Sequence, residues 1–129
     1  MFDDYAKFVD HTTSMESKDY VALVDRLWAI EDSANLPRLL TAVIGMQSET
    51  GEFAEIVKKC VFQGKELDTA TKFHLMRELG DVLWYWIQGC SALGYEPSEV
   101  IEENINKLEK RYPNGFEIIR SEQREEGDI

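Results

Sequence analysis

Apolar residues recur at three- and four-residue intervals along most of the chain and nowhere sustain a period of two. That rhythm predicts helices rather than strands. Phe2, Tyr5, Phe8 and Val9 fall at helical spacing and predict a short opening helix across "DDYAKFVDHTT". Tyr20, Val21, Val24, Leu27 and Trp28 predict a second helix closing near "DSANLP". Pro37 is tolerated in a first helical turn, so a long helix is expected from there to about Phe62, with Gly64 as its stop. Asp68 can cap the next helix, which should run to Leu93 and end at Gly94. Pro97 opens a further helix through Arg111, terminated by "YPNG". The expectation is an all-α fold: a four- to five-helix bundle formed as a single domain over residues 1–115. A polar tail, residues 116–129, is expected to order only on binding.

Composition narrows the partners. A chain of 129 residues suits one domain with a core, and its 43% apolar and 30% charged content is ordinary for a folded protein. The imbalance is in sign: 25 acids against 14 bases give a net charge of −11. Such a surface repels polymeric nucleic acid and anionic membranes but still admits a small anion that arrives with metal ions. No apolar run approaches the roughly 20 residues that span a bilayer. "MFDDYAKF" lacks the basic start and apolar stretch of a signal peptide, so a cytoplasmic location is expected. Cys60 and Cys90 have no CxxC spacing and are expected to be reduced core residues.

Against this background two acidic motifs stand out, "ETGE" (Glu49 to Glu52) and "ELGD" (Glu78 to Asp81). Helical spacing puts Glu49, Glu52, Ile56 and Lys59 on one sector of the long helix, and His74, Glu78, Asp81 and Tyr85 on one sector of the next. A short connection makes the two helices antiparallel neighbours, which can bring the pairs level. Glutamates three apart usually mark a solvated face. Three features argue otherwise here. "VLWYWI" (Val82 to Ile87) wraps its helix in apolar groups and marks it as central. Gly51 and Gly80 each cost about 1 kcal/mol relative to alanine, which suggests a close helix contact or ligand approach. Few cations are placed to neutralise the acids. Like charges roughly 4 Å apart repel by about 1 kcal/mol in water and about 4 kcal/mol at an effective dielectric of about 20. Four converging carboxylates must therefore protonate in part or take up divalent cations. An all-oxygen set favours Mg²⁺ or Mn²⁺ over Zn²⁺, and the absence of Glu-x-x-His pairs argues against a ferritin-like di-iron site.

In "EENINKLEKRYP", Asn104, Lys107 and Arg111 form one polar stripe beside the apolar stripe of Ile101, Ile105, Leu108 and Tyr112. Amide, ammonium and guanidinium groups suit phosphate oxygens, and Lys58 and Lys59 could add to them. The competing reading is that basic residues near a helix C-terminus simply complement its dipole.

These residues resemble the MazG-like all-α nucleoside triphosphate pyrophosphohydrolases, whose signature is ExxE followed by ExxD. "YAKFVDHTTS", "SETGEFAEIVKKCVFQGKELD", "ELGDVLWY", "NINKLEKRYPNGF" and "SEQREEGDI" look like the short, single-domain phage and bacterial members. The segment around residues 17–36 matches least, and His74 and Cys60 belong to no motif and receive no role. The resemblance implies that Glu49, Glu52, Glu78 and Asp81 hold Mg²⁺, and that Lys59, Asn104, Lys107 and Arg111 contact phosphate. Tyr85 would border the nucleotide. It also implies hydrolysis of a (deoxy)nucleoside triphosphate between the α and β phosphates, and dimers or tetramers whose base pocket draws on a neighbouring subunit. The tail would close over the ligand. Some phage members act on deoxyguanosine triphosphate, which inclines this chain toward that substrate. Glu52 is the first choice of general base, with Glu49 or Glu55 as alternatives. The rival reading is a non-catalytic helical module that binds a nucleotide or metal, or only dimerises; Trp84 and Trp86 would serve either.

Overall fold

Local signals set the ends of the helices in the computed structural model, which describes residues 1–129. The chain is all-α: α1 (Phe2–Thr12), α2 (Tyr20–Ala29), α3 (Leu36–Phe62), α4 (Thr69–Leu93), α5 (Pro97–Arg111) and α6 (Ile118–Glu122), with single 3-10 turns flanking α2. Asn35 Oδ1 accepts from the Arg38 N–H at 3.1 Å to cap α3, which begins at Leu36 with Pro37 in its first turn. Asp68 Oδ1 accepts from the Thr71 N–H at 2.8 Å to open α4. Past its C-terminus, Gly94 takes a left-handed φ of 79°, and the Tyr95 N–H returns to the Cys90 carbonyl at 3.1 Å. All five predicted helices form. The sixth lies in the tail, where "IIRSE" makes little more than one turn.

α3 and α4 pack against each other as an antiparallel hairpin, by far the most extensive contact between elements. Their register can be followed rung by rung. The Asn35 N–H donates to the Ala92 carbonyl at 2.9 Å. Ala42 is fully buried, and a methyl group added at Gly89 would lie 3.7 Å from its Cβ. At the next rung the Tyr85 ring lies against Gly45, where any Cβ would collide with it. Following that register down the hairpin brings the "ETGE" turn of α3 to the "ELGD" turn of α4. Every buried residue of the chain belongs to these two helices: Ala42, Gly45 and Ile56 on α3; Thr71, Glu78, Cys90 and Ala92 on α4.

Two expectations need correction. Gly51 and Gly80 have open space where a side chain would sit, so neither marks a close helix contact within the chain, which leaves only the ligand-approach alternative. The tight approach is at Gly45, one turn before Glu49. Nor is α4 enclosed on all sides within one chain, since Leu83 and Trp84 are more than half exposed. The physical reason is shared: α3 covers only one face of α4, and no other helix of the chain covers the rest. Cys60 and Cys90 are both free thiols, and of the two only Cys90 is buried.

The remaining helices lie open. α1, α2, α5 and α6 bury no residue, and the apolar stripe of α5 is largely exposed at Ile101, Ile105 and Leu108. The chain exposes 10595 Å². A folded monomer of 14.9 kDa is expected to expose about 7,000 Å².

Candidate metal and phosphate site

The hairpin register determines which acids meet. Carboxylate oxygens of Glu49, Glu52 and Glu78 all lie within 4.8 Å of one another. Asp81, one turn from Glu78, does not join them at that distance, although its charge still acts on Glu49. Glu78 is buried at 6% exposure, Glu49 is half-buried and Glu52 is open to solvent, so the cluster sits at the rim of the helix pair.

Its electrostatics follow from that placement. Partial desolvation, then the charges of Glu52, Asp81 and Glu78, hold the Glu49 carboxyl above its ordinary value of 4.5. His74 Nε2 lies 2.9 Å from Glu78 Oε1, four residues away on α4. No role for His74 was expected, yet the i,i+4 spacing that joins it to Glu78 is plain in the sequence. A set of three converging carboxylates, short of positive charge and free of thiolates, has the hard oxygen-donor chemistry that Mg²⁺ or Mn²⁺ prefers. The donor set therefore fits such an ion.

The cations expected at phosphate have their polar partners outside the cluster. Lys59 Nζ is 3.5 Å from Glu55 Oε1, and Lys58 pairs with the other oxygen of the same carboxylate. Lys58 first, and Lys59 after it, hold the Glu55 carboxyl below its ordinary range. Glu55 is thus committed to lysines on its own helix and stands outside the acidic cluster. Tyr85 packs on Gly45, with the Trp84 ring edge-on at 4.9 Å. Asn104 and Lys107 line a cleft with Leu93 and Tyr95 at the α4–α5 corner. Lys107 and Arg111 find their polar partners in the tail, at Ile129 and Asp128. Within one chain α5 makes only light contact with α4. The basic stripe and the acidic cluster are consequently formed by separate parts of the molecule.

An all-α chain whose two central helices bring facing ExxE and ExxD turns together belongs to a class of helical proteins built around a carboxylate cluster. More particularly, the chain belongs to the MazG nucleotide pyrophosphohydrolase domain family, whose model matches residues 38–116. That span contains both acidic motifs and the whole of α5, and excludes α1, α2 and the tail from residue 117 onward. The "Gene 37 protein" of Mycobacterium phage L5 is 34% identical over 86 residues, covering 65% of this chain and 75% of that one. No solved structure matches the chain significantly. No helix is long and apolar enough to cross a membrane.

Proposed function

We propose that the protein is a metal-dependent nucleoside triphosphate pyrophosphohydrolase, converting a (deoxy)nucleoside triphosphate to the monophosphate and pyrophosphate. The observation that carries this reading is the convergence of Glu49, Glu52 and Glu78 in a chain of the MazG family. Glu49, Glu52, Glu78 and Asp81 are the residues that would hold Mg²⁺, or Mn²⁺ in its place. When bound, the ion supplies charge neutralisation at the phosphate oxygens and a lowered pKa for water.

The protein's own groups perform the rest. Glu52, open to solvent at the edge of the cluster, accepts the proton of the water attacking the α-phosphorus; the bond from that phosphorus to the bridging oxygen breaks, and pyrophosphate leaves. Glu55 is the weaker alternative as base because Lys58 and Lys59 already engage it. His74 holds one oxygen of Glu78 and thereby restricts its rotamer. Lys59, Asn104, Lys107 and Arg111 are assigned to phosphate oxygens and Tyr85 to the border of the nucleotide. A guanine deoxynucleotide is the preferred substrate and the host cytoplasm the working compartment, and nucleotide-pool control is the role.

Self-association belongs to the same proposal. The exposed surface exceeds that of a typical folded monomer by about 3,600 Å² per chain. One obligate dimer interface of about 2,000–5,000 Å² in total covers only about 1,000–2,500 Å² per chain, so more than one interface or an unusually large one is implied. A homodimer or dimer of dimers, covering the open faces of α4 and α5, accounts for that excess. It also offers a route by which a basic stripe reaches acids it does not meet in its own chain. Sedimentation showing a monomer at micromolar concentration would remove this part.

The decisive experiment measures pyrophosphate release from all eight common nucleoside triphosphates, with and without Mg²⁺. Release that requires the ion, greatest with deoxyguanosine triphosphate, is expected. Binding without release under every divalent ion would replace the enzyme with the non-catalytic module.

A further inference from the structure

Every side-chain hydrogen bond that spans more than ten residues of sequence joins the tail to α5. Lys107 Nζ donates to the Ile129 carbonyl oxygen at 3.3 Å, Arg111 Nε donates to Asp128 Oδ2 at 2.6 Å, and Arg111 Nη2 donates to Asp128 Oδ1. Arg111 and Asp128 are only 11% and 17% exposed, the most enclosed lysine or arginine ion pair in the chain. A molecule that buries so little elsewhere has nonetheless sheltered this contact. Gly127, at φ 88°, provides the backbone bend just before Asp128.

The grip has a chemical direction. Of the five guanidinium N–H donors, the pair engages one on Nε and one on Nη2. Both donors on Nη1 and the second on Nη2 are left for another acceptor. A bidentate carboxylate on one edge fixes the plane of the guanidinium and removes the rotamer freedom that an exposed arginine would otherwise lose on binding. Arg111 also lines a cleft of about 360 Å³ between α5 and the tail. Lys107, Lys110 and Arg120 are matched there by Glu103, Glu125, Glu126 and Asp128, so the free edge of Arg111 and not a net positive charge would have to direct a phosphate there. Arg111, with smaller contributions from Arg124 and Lys107, holds the Asp128 carboxyl below its ordinary range, so it stays ionised and acceptor-only at neutral pH.

We propose that Asp128 is a positioning residue for Arg111: the tail holds the guanidinium by its Nε–Nη2 edge and leaves the Nη1 edge for a phosphate oxygen of the triphosphate. This rests on the reading of Arg111 as a phosphate contact. Asp128 lies beyond residues 38–116, the span matched by the family model.

The opposite effect is conceivable in physical terms, because the Asp128 charge also partly neutralises Arg111, and the experiment separates the two by sign. Inorganic pyrophosphate is titrated calorimetrically into the full chain in the presence of Mg²⁺, and steady-state kinetics are measured on the same preparations. Asp128→Asn should weaken pyrophosphate binding and raise KM about five- to tenfold, with kcat within about twofold, as expected for loss of one oriented contact. Asp128→Glu, which keeps a carboxylate, should recover most of the loss. Unchanged binding in Asp128→Asn would mean the tail merely rests on α5, and tighter binding would mean Asp128 competes with phosphate; either overturns the proposal. Arg111→Ala tells which premise failed. If it too leaves binding unchanged, the phosphate role of Arg111 falls; if it impairs binding while Asp128→Asn does not, only the positioning falls.

Discussion

The α3–α4 hairpin and the α5–tail segment keep their polar groups in place by opposite means. In the hairpin, packing comes first: small residues at Ala42, Gly45 and Gly89 let the helices approach, and the acids are carried together by that register. In the α5–tail segment almost nothing is buried, and the cations are instead held by the carboxylate of Asp128 and the carbonyl of Ile129. The first arrangement tolerates repulsion, since helix packing opposes the mutual push of three carboxylates. The second depends on attraction and would loosen with the loss of a single charge. A site that must gather anionic ligands and cationic contacts can thus use rigid packing for the anions and an adjustable tether for the cations.

The largest expected effect falls on the hairpin. Glu52→Gln and Asp81→Asn should each lower pyrophosphate release at least about 100-fold while leaving the circular dichroism of the helices unchanged. Near-wild-type turnover in either would break the assignment of chemistry to this region. Next in size is Gly45→Ala. Alanine is the better helix former by about 1 kcal/mol, but its methyl group would strike the Tyr85 ring, so a net destabilisation of about 1–3 kcal/mol is expected. Gly80→Ala, made where a methyl group meets nothing, should instead stabilise by about 0.5–1 kcal/mol. Thermal melts of the two variants check the contrast; destabilisation by both would mean that Gly80 faces a neighbour in the working assembly.

The smallest effect concerns the charge stored in the cluster. The Glu49 carboxyl is held above 4.5, so the folded state takes up its proton more readily than the unfolded chain does. Its contribution favours the fold below that value and is lost as pH rises through the raised pKa. Without metal, the melting temperature of Glu49→Gln relative to the parent should therefore climb between about pH 4 and pH 7, and added Mg²⁺ should narrow the gap. A difference that stays flat with pH would show that the acids do not strain one another.

Which parts of this were legible in the sequence follows from how local their causes are. Pro37, Asp68, Gly64 and Gly94 act on backbone groups within a few residues, and the helix ends they imply are observed to within about a residue. The Asn35 cap that opens α3 was not read from the sequence. The meeting of "ETGE" with "ELGD" needed only helical spacing and a short connection. The solvent-facing position of Gly51 and Gly80 was not legible, because a glycine's cost is local while its reason depends on which side a neighbour occupies. The same holds for "VLWYWI", whose coverage is a property of whatever lies against α4. The separation of the α5 stripe from the acids depends on where one helix lands relative to another, which no periodicity encodes. Asp128 was missed because its partner lies 17 residues away, across a turn that carries no signature of the pairing.

The link between α3 and α4, residues 63–68, is short enough to have a consequence for the order of assembly. Closing so small a loop is fast and unimolecular, whereas any step that covers the outer faces of α4 and α5 with a second chain slows with dilution. Newly made chains would therefore acquire their carboxylate cluster before they find one another. The concentration at which the protein is produced would then govern when phosphate contacts join a cluster already formed.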